Sequence, residues 1–364
     1  MPSNTSIVAN FKSYFLHCIL ALLLLFMMPS CGKKNDHISA PTRANGIYYW
    51  RTTFEASEAE QQFLAAHNVK RLYLRLFDVD MSKRNLGDAL SPQPVATIQF
   101  RDSANLEQVM QMVDECVPTI FITLPALKNM QWEASEYASK ICTRILNMCS
   151  YHGFLNKVHE VQIDCDWTES TESQYFHLLD EIRHIMHGHG IQLSATIRLH
   201  QLRSAAPPVD KGVLMLYNTG SFKHPDTQNS ILSYDDAMPY LKKALHYNLH
   251  LDYAFPNFGW GIWFRNNTFH AILHQQDFTN DTLYEQISDT HFRVIKDHCV
   301  QEGYWLQRGD IIRKEVADMA VIEQLKQQLP FDKQTSVIMY HLDENNLNNY
   351  THDETTTFYS YPAE

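Results

Sequence analysis

The sequence has no CxxC pair, no HExxH, no Walker-type phosphate loop, and no GxGxxG after its first strand-like segment. The usual short signatures of zinc and nucleotide binding are therefore missing. No short repeat of the solenoid kind is present either. Basic residues are scarce, with 30 Lys+Arg against 41 Asp+Glu and a formal charge of −11. Such a surface repels polyanions, so nucleic acid is set aside as a partner. Apolar residues nevertheless make up 45% of the chain, enough for a sizeable core, and charged residues only 20%, which argues against global disorder.

One apolar run stands apart, at 14–28, broken only by His17 and preceded by Lys12. It is short for a membrane span and typical of a signal-peptide core. It ends in Met28-Pro29-Ser30-Cys31-Gly32, followed by Lys33 and Lys34. A small residue before a cysteine at the end of such a run resembles the lipobox of bacterial lipoproteins. The resemblance implies a signal peptide over 1–30, lipidation at Cys31, and a polar tether over 31–45. Membrane attachment through that anchor then implies a cell-envelope address, at the periplasmic face or the outer surface of the outer membrane. An uncleaved N-terminal anchor is the alternative.

Beyond that segment the cysteines are Cys116, Cys142, Cys149, Cys165 and Cys299, without zinc-type clustering. Cys142 and Cys149 are seven apart in a helical pattern, so both are expected in the core. Buried free thiols are the expectation for the set.

Eight strand-like segments recur, at 46–54, 69–79, 119–124, 158–167, 191–199, 212–217, 249–255 and 336–342. Most are followed by helical patterns, at 106–116, 134–149, 173–186, 234–246 and 315–328. Ser57 with Glu60 marks a helix start, and Gly188 with Gly190 a helix end. The Pro-rich stretch 91–100 adds a candidate short strand. A long insertion covers roughly 256–313, with a helical stretch expected near 283–299. Alternating strands and helices predict parallel pairing, since parallel strands need long crossovers. Eight such units predict a single-domain α/β fold, a (β/α)8 TIM-type barrel spanning 46–364. An open doubly wound sheet is the alternative.

In such barrels the working site forms where the strands end. The fourth segment carries Gln162, Asp164 and Asp166 at alternate positions, so the two carboxylates share the inward face. Val161, Ile163 and Cys165 then face the helices. Burying two carboxylates is unfavourable unless they are solvated, paired or used, and adjacency pushes one pKa up. They are either catalytic or salt-bridged to groups such as Arg75 or Arg198. Further strand-end candidates are Asp78 and Asp80, Arg198 with His200, Tyr217, Asp252, and His341 with Asp343. Of the six tryptophans, Trp50 and Trp167 follow strand-like segments, and Trp260 and Trp263 lie after the seventh. Indole faces suit pyranose rings, although each ring could equally plug a loop. Trp132 and Trp305 complete the set. His184, His187 and His189 sit at a helix C-terminus, where cations suit the dipole. No metal site and no cofactor is assigned.

The segment IDCDWTE resembles the fourth-strand DxDxE signature of chitinase-like family 18 glycoside hydrolases, with Asp164 and Asp166 at the two Asp positions. Thr168 stands where that family has its proton-donating Glu, and Glu169 lies one residue later. The sixth segment, MLYN, is similar to the family's MxYD, with Asn218 for Asp. Across most of the chain, IYYWRTTF, VKRLYLRLFDVD, VQIDCDWT, SATIRLHQL, GVLMLYNTG and VIMYHLD resemble a family of Bacteroidetes-type bacterial lipoproteins. That family has a glycoside-hydrolase-like barrel and no established activity. These resemblances imply an envelope glycoside hydrolase with Asp166 or Glu169 as acid and Asp164 as a supporting carboxylate. Trp50, Arg198, His200, Tyr217, Asp252, Trp260, Trp263, His341 and Asp343 would bind the carbohydrate. A non-catalytic glycan-binding lipoprotein on a degenerate barrel, or an envelope scaffold, are the alternatives, the former motivated by Thr168.

Overall fold

The computed structural model describes residues 43–362, apart from Leu86, Gln131, Trp132, Gln275, Gln276 and Gln301. The expected signal peptide at 1–30, Cys31, most of the tether and Trp132 lie outside the described residues.

In chain order the elements are β1 (Asn45–Tyr49), β2 (Thr53–Phe54), α1 (Glu58–Ala66), β3 (Val69–Ser82), β4 (Ser91–Val95) and β5 (Gln99–Phe100). Next come α2 (Ser103–Met112), β6 (Glu115–Ile122), α3 (Leu124–Met130), α4 (Ala134–Tyr151), β7 (Glu160–Asp164) and α5 (Glu172–Gly188). They are followed by β8 (Gln192–Arg198), β9 (Lys211–Met215), α6 (Tyr234–Ala244), β10 (Leu251–Pro256), β11 (Gly259–Arg265) and β12 (Thr268–Leu273). Then come β13 (Tyr284–Gln286), β14 (His291–Val294), β15 (His298–Cys299), β16 (Trp305–Leu306) and β17 (Ile311–Val316). The last are α7 (Met319–Lys326), β18 (Val337–Tyr340), α8 (Glu344–Leu347) and α9 (His352–Phe358).

Eight strands, β1, β3, β6, β7, β8, β9, β10 and β18, pair in parallel, and β18 and β3 both pair with β1, so the ring closes. This is the expected (β/α)8 barrel. Closure leaves no open edge within the ring, while inward side chains and the outer helices cover the two faces of the barrel strands. Inside, Tyr48, Tyr73, Val117, Val213, Met215, Ala254 and Ile338 pack as one cluster, with Trp50, Tyr217 and Tyr340 against it. Tyr48 donates to Oε1 of Gln162 at 2.7 Å, which satisfies two polar groups in the barrel interior. Gly46 fits beside this layer because an added Cβ would stand 3.0 Å from Cγ1 of Ile338.

The local signals work as physics requires. Ser57 and Glu60 form a reciprocal capping box at α1. Beyond α5, Gly190 adopts φ +71°, and the following N–H, of Ile191, reaches the carbonyl of Met186 at 3.0 Å. Cys116, Cys142, Cys149 and Cys165 are buried free thiols, whereas Cys299 is exposed, against expectation. It lies on the short β15–β16 ribbon rather than under a helix.

Two further corrections concern the chain after β10. The stretch 283–299 is not helical: β13 and β14 occupy it, within a five-stranded sheet ordered β12-β11-β17-β14-β13. Phe292 and Val294 are buried while Arg293 between them is exposed, a period of two that belongs to a strand. The helix expected from 315 begins only at Met319, because β17 runs to Val316 and Asp318 caps the helix.

At the N-terminal end of the barrel a buried ionic layer closes the floor. Lys211 Nζ lies 2.7 Å from Glu160 Oε2 and 2.9 Å from Asp252 Oδ2. Arg71 Nε lies 2.6 Å from Glu115 Oε2, and Ser336 N donates to Asp252 Oδ1 at 2.7 Å. Burial alone would raise the Asp252 carboxyl, but Lys211, His250 and Arg71 together hold it below the usual carboxylate range. Burial likewise opposes the Lys211 charge, and Asp252 and Glu160 outweigh it.

Candidate glycan site at the barrel mouth

At the opposite end, β7 and β8 deliver the site's most distinctive contact. Asp164 is the last residue of β7 and Arg198 the last of β8, so both emerge at the C-terminal rim. Oδ1 of Asp164 accepts from Oγ1 of Thr196 at 2.6 Å and from Nη2 of Arg198 at 3.0 Å. The same guanidinium donates from Nε to Oδ1 of Asp166 at 2.6 Å. The side chain of Asp164 is 5% exposed and that of Asp166 55% exposed, so one carboxylate is a floor and the other a rim. Burial raises the Asp164 pKa, with Arg198 and Thr196 opposing it. Gln201 fixes the bridge from behind: its Oε1 accepts from the Arg198 amide at 2.8 Å and its Nε2 donates to the Trp167 carbonyl at 2.9 Å.

A second guanidinium–carboxylate pair stands beside it. Arg75 Nε donates to Asp78 Oδ1 at 2.8 Å, and Arg75 also reaches the Trp50 carbonyl at 3.2 Å. Asp80 accepts from Thr123 Oγ1 at 2.6 Å. Aromatic rings line the space between these groups. Tyr217 and Tyr340 have centroids 5.1 Å apart, Trp50 and Tyr340 6.0 Å, and Tyr217 and Phe258 6.1 Å. Burial raises the pKa of Tyr217 first of all, so its hydroxyl is held as a neutral donor.

The structure therefore brings Asp164, Asp166, Arg198, Tyr217 and Trp50 together. It places the other candidates elsewhere. Glu169, itself exposed, opens the 3-10 turn Glu169–Thr171, and the Thr168 hydroxyl sits 3.0 Å from that of Ser170. The strand has ended, so its alternation no longer orients either residue. His200 is exposed on the 3-10 turn Leu199–Arg203, so it does not continue the Arg198 face. Asp252 is the second residue of β10 and belongs to the ionic floor. Trp263 packs into the core of the five-stranded sheet, against His270 at 4.7 Å. Trp260 spends its indole N–H on Glu315 Oε2 at 2.8 Å and stands 5.2 Å from the Phe258 ring. Trp167 is fully buried against Tyr175 and Phe176 on the helix side. Asp343 caps α8, accepting from the amides of Asn345 and Asn346. His341 has Asp343 and Arg51 as its electrostatic neighbours, and burial lowers its pKa. Its neighbour Tyr340 takes the inward place instead, two residues after Ile338. That alternation was the available signal for Tyr340, as Thr196 two before Arg198 was for the hydroxyl on Asp164. Among the described residues no group of three His, Cys, Asp or Glu side chains is placed to hold a metal ion.

Known structures share this architecture. The spore cortex-lytic enzyme SleL of Bacillus cereus matches with a TM-score of 0.53 and 14% identity, over 90% of this chain and 76% of its own. The class V chitinase of Nicotiana tobaccum matches with a TM-score of 0.52 and 11% identity, over 86% and 98%. The chitinase-like agglutinin RobpsCRA of Robinia pseudoacacia matches with a TM-score of 0.54 and 12% identity, over 86% and 99%. At such identities the likeness is one of fold. No protein-family model and no curated protein matches the sequence.

Proposed function

We propose that this protein is a cell-envelope lipoprotein whose barrel mouth binds a glycan without cleaving it. The carrying observation is that Arg198 donates to both Asp164 and Asp166, while Thr168 stands where a proton donor is wanted. A glycosidase needs a carboxylic acid that yields a proton and a second carboxylate across the bond. A guanidinium partner favours the ionised carboxylate and so works against the first requirement. Asp78 and Asp80, the other rim acids, are engaged by Arg75 and Thr123. What the mouth retains is recognition chemistry. Trp50, Tyr217 and Tyr340 are part-buried aromatic rings there, of the kind that pack on sugars, and the Asp166 side chain is half exposed. A carbohydrate ligand also agrees with the neighbouring folds, since the Nicotiana chitinase was solved with NAG4.

Hydrolysis is the second reading. It is favoured by one observation: Asp164, at the end of β7, and Asp166, two residues beyond it, occupy unlike environments, the first raised by burial and the second half exposed. Chitin-type, peptidoglycan-type and plant glycans, tested for both binding and new reducing ends, separate the two. Binding without release, insensitive in kind to Asp166→Asn, supports the binding module. Release abolished by Asp164→Asn or Asp166→Asn supports the hydrolase. Binding to none of them would leave only a scaffold.

The anchor rests on the apolar run and Cys31, whose sequence pattern resembles a lipobox. Metabolic labelling with a lipid precursor should mark the wild-type chain and fail in Cys31→Ala. Equal labelling of both would refute lipidation at that position.

A further inference from the structure

The hairpin β3–β4 has two faces, and only one belongs to the mouth. Asp78 and Asp80 turn toward the mouth, whereas Phe77 and Val79, alternating with them, line a groove of about 890 Å³ between the hairpin and α4. We propose that this groove is a second ligand site, for a short carboxylate- or sulfate-bearing oligosaccharide. The inference does not depend on the reading of the mouth.

Charge is the first argument. Arg84, Lys140 and Arg144 line the groove in a chain whose formal charge is −11. Lys140 is offset by Glu136 at 2.5 Å, and Asp88, the one acid of the lining, is engaged by Asn85. Among the described residues no carboxylate pairs with either arginine. Arg144 spends Nη2 on Thr97 Oγ1 at 2.9 Å, lies over the Phe77 ring at 5.0 Å, and has a buried Nε with no hydrogen-bond partner among the described residues. A buried guanidinium N–H with nothing to donate to is an unfavourable arrangement that an anionic oxygen would relieve.

The strand edge is the second argument, and it selects the occupant. In the antiparallel register Val79 faces Pro94 and Met81 faces Pro92. Proline cannot donate, so these are the non-hydrogen-bonded pairs, and the outward edge of β4 carries the carbonyls of Pro92 and Pro94 with no N–H. A peptide strand needs alternating donors and acceptors and cannot extend such an edge. Sugar hydroxyls can donate to bare carbonyls. The lining also supplies flat apolar surface for a pyranose, from the two prolines and from Tyr137, whose ring the Lys140 ammonium approaches at 5.0 Å. The overall negative charge disfavours long polyanions, so the ligand is short.

Affinity electrophoresis of the full chain tests this with oligogalacturonate as probe and neutral maltooligosaccharide as control. Oligogalacturonate should bind, weakening as salt rises from about 50 to about 200 mM. Arg84→Gln with Lys140→Gln, both at exposed positions, should weaken it about tenfold, and Arg144→Gln by a similar factor. Asp166→Asn, at the mouth, should leave it unchanged, and the groove variants should leave glycan binding at the mouth unchanged. Equal binding of the neutral control, undiminished binding by the double variant, or tighter binding of poly-glutamate would each overturn the proposal. Loss of oligogalacturonate binding in Asp166→Asn alone would assign the anion to the mouth and overturn it as well.

Discussion

Arg198 and Asp164 join two neighbouring barrel strands at their ends, Nη2 to Oδ1 at 3.0 Å, and the same guanidinium continues to the rim carboxylate of Asp166. One cation thus holds a buried acid and an exposed one on a single face. The energetics of the mouth depend on which of the three is removed.

Replacing Arg198 by Gln strands the Asp164 carboxylate. The loss should be about 2 kcal/mol at neutral pH, below that of a fully buried pair because Arg198 keeps part of its surface in water. The loss should also depend on pH. Burial already raises the Asp164 pKa, and losing the cation raises it further. A carboxyl with a raised folded-state pKa supports the fold below its unfolded value, and that support is lost as pH climbs through the folded one. Urea unfolding should therefore show a small deficit near the ordinary Asp value of about 3.9 that grows as pH rises toward about 7. A deficit independent of pH would contradict this account.

The floor behaves in the opposite sense. Asp252 is held below the usual range, chiefly by Lys211 against the effect of burial. Its contribution is complete above about pH 4 and is lost as pH falls below the ordinary Asp value. Asp252→Asn should cost about 3 kcal/mol at pH 7, leaving Lys211 and Arg71 undercompensated, and should flatten the acid limb of the stability profile. Glycan affinity should not change, because the floor lies at the far end of the barrel from Asp166. A loss of affinity without a loss of stability would place Asp252 at the mouth after all.

Much of this arrangement is legible in the sequence, and the misses share a cause. Alternation within 158–167 turns Gln162, Asp164 and Asp166 to one face, because strand periodicity fixes a face. It does not fix where a strand stops. Periodicity alone would carry the face on to Thr168 and His200 and would turn Glu169 away, yet β7 ends at Asp164 and β8 at Arg198, and 3-10 turns re-aim the residues beyond. Asp252 lies near the start of its strand, so its position points to the floor rather than the mouth. Trp263 could not be placed, since the sheet that buries it pairs β11 with β17 across a long intervening stretch. The bridge itself is a contact between neighbouring strands, visible only once β7 and β8 are known to be adjacent.

Thiol reactivity offers a check on the packing that owes nothing to ligands. Burial pushes the Cys142 and Cys149 thiols up to about 12 and raises Cys116 and Cys165 as well. The thiolate is the reactive form. Among the five cysteines of the described residues, alkylation of the folded protein at about pH 8 with peptide mapping should mark Cys299, the exposed one, and the other four only in denaturant. Rapid labelling of Cys142 or Cys149 in the folded protein would show that α4 is not packed as described.

The most direct test of a glycan-binding mouth is hydrogen exchange of the full chain with and without a saturating oligosaccharide that binds it. Protection should gather in the peptides bearing Trp50, Asp164–Asp166, Arg198, Tyr217 and Tyr340, and should disappear in Arg198→Gln. Protection confined to the five-stranded sheet or the outer helices, with those strand ends unchanged, would contradict the account.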